Sequence, residues 1–151
     1  MQRSARKGAL CACLLVLIAC RIMGGDEAFI LETTEDIEAI RFSSKAIERR
    51  CPNGVAISDL FVSREDCTRD CSWWALTRKT EFSKTERLLE LPLMYGAEVP
   101  GSELRVAPRR LEFGTYSVGG TFACYNGEDL LSVIAFGRFY VSENGNVISN
   151  P

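Results

Sequence analysis

By residue type, chemistry in this chain falls first to cysteine. There are seven cysteines and no histidine. Without histidine the commonest general base and a common metal ligand are missing, and serine–histidine or cysteine–histidine catalysis on one chain is excluded. Cys67 and Cys71, in "CTRDC", are four residues apart, with no histidine nearby and no matching second pair in Cys51 and Cys124. That is a poor metal-ligand pattern, and it is not the C-x-x-C of redox enzymes. Glu65, Asp66 and Asp70 crowd the same stretch. A cation is one conceivable occupant there, but a solvated charged loop is the expected reading. Glycan hydrolysis needs two carboxylates converging across a cleft, and no such pair is suggested. Gly119-Gly120 sits inside a strand pattern, so it reads as close backbone packing rather than a phosphate loop. No catalytic residue, metal or cofactor is expected, and the chain is read as a non-enzyme.

The chemistry left to cysteine is cross-linking and modification. Three of the seven cysteines fall in residues 1–20, leaving Cys51, Cys67, Cys71 and Cys124 in the body. An even number suits an oxidising compartment. Cys51 and Cys67 enclose a loop of about 15 residues, whose closure is worth roughly 3 kcal/mol in the chain-entropy model, and Cys71 is an alternative partner for either. A Cys67–Cys71 bond would close a very small ring, and all three connectivities of four cysteines stay open.

The N-terminus sets the compartment. Arg3, Arg6 and Lys7 precede an uncharged apolar run over residues 8–18, and the small residues Ala19 and Cys20 follow. This is the layout of a secretory signal, with a run too short for the roughly 20 residues that cross a bilayer. "LIAC", residues 17–20, resembles the lipobox of bacterial lipoproteins, with Leu17, Ile18, the small Ala19 and then Cys20. The resemblance covers residues 1–20 and implies cleavage after residue 19. It also implies a diacylglycerol on the Cys20 thiol and an acylated amino end, so that several chains together make a stable anchor. In Gram-negative members of that family an Asp after the lipid cysteine favours the inner membrane. Arg21 stands there, so the resemblance implies the outer membrane. Simple secretion is the alternative, since Cys11 and Cys13 show that cysteine is not rare here.

The body must then position whatever the anchor presents. It is globular in composition, 46% hydrophobic and 25% charged. Outside the basic head it carries 15 basic against 20 acidic residues, a poor match for nucleic acid. Residues 20–36 read as a tether and 37–151 as one β domain, with an early strand or short helix at its start. "VAISDLFVS" reads as a strand covered on both faces. "SWWALTRK" starts another, with one of Trp73 and Trp74 facing the core and its neighbour the other side. An exposed aromatic platform for a glycan is the alternative. "RLLELPLMYG" suits an edge strand, because Pro92 cannot donate to a ladder. Asn126-Gly127 and Asn144-Gly145 suit hairpin turns linking strands near 115–125, 130–142 and 146–149, with Gly137 a candidate bulge.

"LEFGTYSV", residues 111–118, resembles the tyrosine corner of immunoglobulin-like and fibronectin-type domains through Leu111, Gly114 and Tyr116. The resemblance implies a mainly β, small antiparallel sandwich in which the Tyr116 hydroxyl bonds back to nearby backbone. The cysteine that follows two residues after that tyrosine in antibody domains is Val118 here, so their disulfide is not implied. The stretch from Leu104 to Val141 also resembles the receptor-for-egg-jelly modules of polycystin-like animal proteins through the same residues. The expected function is a small envelope lipoprotein that binds or braces an envelope protein or glycan and is held at the membrane by its lipid. The alternatives are an extracellular adhesion module of animal type and, further off, an enzyme of envelope polymers.

Overall fold

A computed structural model of the chain describes residues 29–34 and 37–150. The expected signal segment and Cys20 lie outside the described residues. Ten strands and one short α-helix make two sheets facing across one core. The strands are β1 (Phe29–Ile30), β2 (Glu32–Thr33), β3 (Arg41–Ser43), β4 (Ala56–Arg64), β5 (Ser72–Arg78), β6 (Leu93–Met94), β7 (Ser102–Val106), β8 (Gly114–Asn126), β9 (Asp129–Val141) and β10 (Val147–Asn150). Helix α1 (Lys45–Arg50) follows β3, with Ser44 at its N-cap and buried Ile47 on its inner side.

The large sheet runs β1-β9-β8-β4-β5-β7, with β10 also beside β9; the small one runs β2-β3-β6. Strands β9, β8, β4, β5 and β7 form the antiparallel body of the large sheet, and β1 and β10 both lie against β9. Pairing is antiparallel except between β1 and β9. β8 and β9 stay in register over thirteen residue pairs, from Gly114↔Val141 to Asn126↔Asp129. The core forms where the inner faces meet: Phe42 of β3 lies 6.1 Å from Phe139 of β9, and Trp74 of β5 lies 5.3 Å from Tyr95 beyond β6.

Several expectations change. Residues 29–34, read as tether, contribute strands to both sheets, and Leu31 between them is buried in the core. Gly137 is no bulge, since the β8–β9 register passes through it unbroken. It is glycine because a Cβ there would stand 2.1 Å from the Leu31 carbonyl oxygen. The first hairpin turns on Gly127 and Glu128, one residue later than expected, with φ +64° at Gly127. That is the place of glycine in a type II′ turn. The second is a longer loop closed by Gly145 N–H to Ser142 O and Ser142 N–H to Asn146 O, with Gly145 at φ +80°. The edge strand expected over 87–96 shrinks to β6 and a lone bridge between Val55 and Leu89, because Pro92 interrupts the ladder. Strand β7 was not expected from its alternating charges, Glu103 and Arg105.

All four body cysteines are bonded. Cys51, at the C-cap of α1, joins Cys124 of β8, and Cys67 joins Cys71 within the β4–β5 loop. Of the three open connectivities this is the one with the very small ring, and neither Cys51–Cys67 nor Cys51–Cys71 forms. Cys51 instead lies against β8 at the far end from Tyr116, clamping the helical connection onto the middle of the large sheet.

The two bonds should weigh very differently. Their sequence separations are 73 and 4. Replacing Cys51 and Cys124 by Ala is expected to cost about 4 kcal/mol, and replacing Cys67 and Cys71 under about 2 kcal/mol. Urea unfolding of the two double variants checks this, and equal losses would contradict it.

Candidate functional site

Tyr116, Leu111, Gly114, the two tryptophans and the 65–71 loop gather at one end of the sandwich, and the Cys51–Cys124 pair lies at the other. Tyr116 is fully buried; its hydroxyl donates to Glu112 O and accepts from Glu112 N–H, each at 3.0 Å. Its ring stacks on Phe139 at 5.2 Å, Leu111 is buried beside it, and Gly114 holds φ +149° where β8 begins. A tyrosine corner is therefore built, and burial pushes the Tyr116 hydroxyl pKa up against the lowering by its Glu112 backbone bond.

The two tryptophans do not simply alternate. Val62 pairs with Trp74 but Ser63 pairs with Ser72, so Trp73 is the extra residue of a bulge in β5. Trp74 is fully buried, while half-buried Trp73 packs edge-on against Tyr116 at 5.8 Å instead of pointing to the opposite face. Its Nε1–H donates to Arg110 O, and the guanidinium groups of Arg64 and Arg109 stand 5.6 and 5.4 Å from its ring. With cations at its ring, Trp73 is no open platform for a sugar.

The acidic loop resolves into separate pairs. Arg64 Nε donates to Asp66 at 2.6 Å, Arg109 Nη2 donates to Asp70 at 2.6 Å, and Arg138 Nε donates to Glu65 at 2.8 Å. Three carboxylates turned to three different arginines do not converge on a cation. Among the described residues, no group of three or more histidine, cysteine or carboxylate side chains could hold a metal. The hydrogen bond from Arg64 holds the Asp66 carboxyl below the ordinary carboxylate range.

Sequence reasoning passed over Tyr95, Arg64 and Arg109. Tyr95 donates to Arg109 O at 2.8 Å, tying β6 to the β7–β8 connection, and burial pushes its hydroxyl up to about 12. It also passed over the outer face of the large sheet. Leu130, Ile134 and Phe136 point outward from β9 and are 53, 57 and 52% exposed. One row across the strands is apolar throughout: Phe136, Gly119, Phe61, Ala75 and Val106. The Phe61 and Phe136 rings close over Gly119, where a Cβ would meet them at 2.6 and 2.5 Å. The signal was present in "DLLSVIAFGRFYV", whose outward positions are as apolar as its inward ones. Beside Leu130 an open groove of about 630 Å³ runs between Tyr125 and the 78–82 segment. Phe82 and Arg78 line it, but Phe82 already stacks on Tyr125 and Arg78 already pairs with Glu86.

No protein-family model, no curated protein and no solved structure matches this chain.

Two measurements follow from this end of the molecule. Tyr116→Phe loses the corner hydrogen bonds and should cost about 1 kcal/mol, whereas Tyr116→Ala should cost about 3–5 kcal/mol; denaturant unfolding separates them. The Asp66 carboxyl, followed by NMR, should titrate below its ordinary range and move back up in Arg64→Met. Its pKa is lowered in the folded state, so the Arg64–Asp66 pair is present above the ordinary carboxylate range and lost as pH falls through the lowered value. An unmoved Asp66 midpoint in the variant would contradict the pairing.

Proposed function

We infer that this is an outer-membrane lipoprotein acting at the cell envelope by binding rather than by catalysis. The observation that carries the reading is the closure of the body cysteines on one another, Cys51 with Cys124 and Cys67 with Cys71. Two bonds suit a chain that matures in an oxidising compartment, and they leave Cys20 without a partner in the body. A lone thiol at the end of a lipobox-like run is free for diacylglycerol. The binding role is supported by the outward apolar positions of β9 and by arginines that are spent on carboxylates and aromatic rings instead of facing an open cleft.

A second reading, an extracellular adhesion module of animal type, draws on the same tyrosine corner. It needs only secretion and no lipid.

The experiment is to express the parent and Cys20→Ser in a Gram-negative bacterium and separate membranes from soluble material. The parent should enter the outer-membrane fraction with an acylated N-terminal peptide by mass, and Cys20→Ser should not. A variant that stays in the membrane as firmly as a parent carrying no lipid mass would refute the anchor. A parent released in soluble, disulfide-bonded form would favour the adhesion reading.

A further inference from the structure

The outer face of the large sheet carries a central apolar patch, and among the described residues the 78–82 segment lies over its Tyr125 and Leu130 end but not over the row through Gly119. Along the outward positions of β9, β8, β4 and β5 the apolar groups are Leu130, Ile134 and Phe136, then Gly119 and Ala123, then Phe61, then Ala75. The polar uncharged Ser132, Tyr140, Thr115, Ser117, Thr121, Tyr125, Ser63 and Thr77 surround them. Only two of the outward positions on these strands carry charge, Asp59 and Arg138. Four strands about 4.8 Å apart, over about ten residues of about 3.4 Å each, mark out roughly 600 Å². That approaches the roughly 800 Å² per partner of a standard stable interface and exceeds what scattered surface hydrophobics need explaining.

The charges say what fits. An isologous interface must be complementary to itself. A surface of one predominant sign would call for a partner of the other sign, whereas this one carries one acid unpaired among the described residues, Asp59, and one Arg138–Glu65 pair whose guanidinium keeps a free edge. They lie symmetrically. Arg138 stands opposite Ser117 on β8, Asp59 stands opposite Thr121, and Gly119 is midway between those two β8 positions. Gly119 therefore sits at the centre of the line joining Arg138 to Asp59. A two-fold axis in the plane of contact, passing over Gly119 perpendicular to that line, sets Asp59 of each copy against Arg138 of the other. The same axis puts the Phe61–Phe136 cluster of one copy on that of its mate. Asp59 has no ion-pair partner among the described residues, and Arg138 holds Glu65 through Nε and Nη2, leaving Nη1 to donate.

We propose that the outer face of the large sheet is an interface between two copies of this chain, centred on Gly119 and flanked by two Asp59–Arg138 pairs. This deepens the binding reading by naming its partner, and it does not depend on the anchor. The test is sedimentation equilibrium of the full-length chain carrying Cys20→Ser, so that anchoring and dimerisation fail or hold separately. A reversible dimer is expected. Phe136→Asp should raise its Kd at least about thirty-fold, as loss of a central interface residue does. Ile134→Lys, on an exposed position of the same strand, should act alike. Asp59→Arg should weaken the dimer by about ten-fold, and adding Arg138→Asp should recover most of that loss. Unchanged thermal unfolding shows that each variant keeps its fold. A parent that remains monomeric at high micromolar concentration, or a dimer indifferent to both Phe136→Asp and Ile134→Lys, overturns the proposal. A charge reversal with no effect, or one not rescued by its partner, overturns the two-fold arrangement over Gly119.

Discussion

The register of β8, unbroken against β9 and shifted once against β4 between Ile57 and Asp59, is the constraint on which the rest depends. Side chains on a strand alternate, so a slip of one residue would turn Tyr116, Val118, Phe122 and Cys124 out of the core and bring Ser117 and Thr121 into it. Several features hold this register. The tyrosine corner fixes the start of β8 and the Cys51–Cys124 bond fixes its end. Between them Gly120 admits the Asp59 carbonyl oxygen, to which any Cβ would come within 2.5 Å. On the far side of β9, Gly137 does the same for the Leu31 carbonyl. These glycines are places where two backbones meet, and that closeness lets the short N-terminal strands close the sandwich.

With β8 fixed, the two surfaces of the molecule acquire different characters. The end that carries Tyr116 spends its charges internally. Arg64 joins Asp66 and Glu112, Arg109 joins Asp70, and both guanidiniums bracket Trp73. Exposed ion pairs contribute little stability individually, but together they order a loop that would otherwise be a run of loose charge. The outer sheet face is the reverse. It has little charge and many exposed apolar groups, a composition that costs solubility unless something covers it. The binding reading rests on that contrast.

Much of this was legible in the sequence and some was not, for identifiable reasons. The long strands could be read because Tyr116, Val118 and Phe122 alternate over a span that no helix period fits. The tyrosine corner could be read because Leu111, Gly114 and Tyr116 perform a local task at fixed spacing. Cysteine pairing could not, because loop length ranks connectivities only when the fold does not decide which thiols meet; here α1 brings Cys51 to Cys124. The bulge at Trp73 was hidden because "SWWALTR" alternates acceptably without one. Strand β7 was hidden because its pairing depends on β5 being there, not on its own residues. The β8–β9 turn was misplaced by one residue because Asn-Gly and Gly-Glu are both acceptable centres, and the pairing of Asn126 with Asp129 selects the second. Cys20 and the expected signal segment lie outside the described residues.

Native-state hydrogen exchange, read residue by residue, tests the central place of β8 most directly. If the register of β8 organises the sandwich, the amides of Val118, Gly120 and Phe122 should exchange only by global unfolding and be the slowest in the chain. Amides of the 65–71 loop and of the 79–91 segment should open earlier, by local fluctuation. Slowest exchange in β5 or β7, with β8 opening through a smaller sub-global step, would contradict the account.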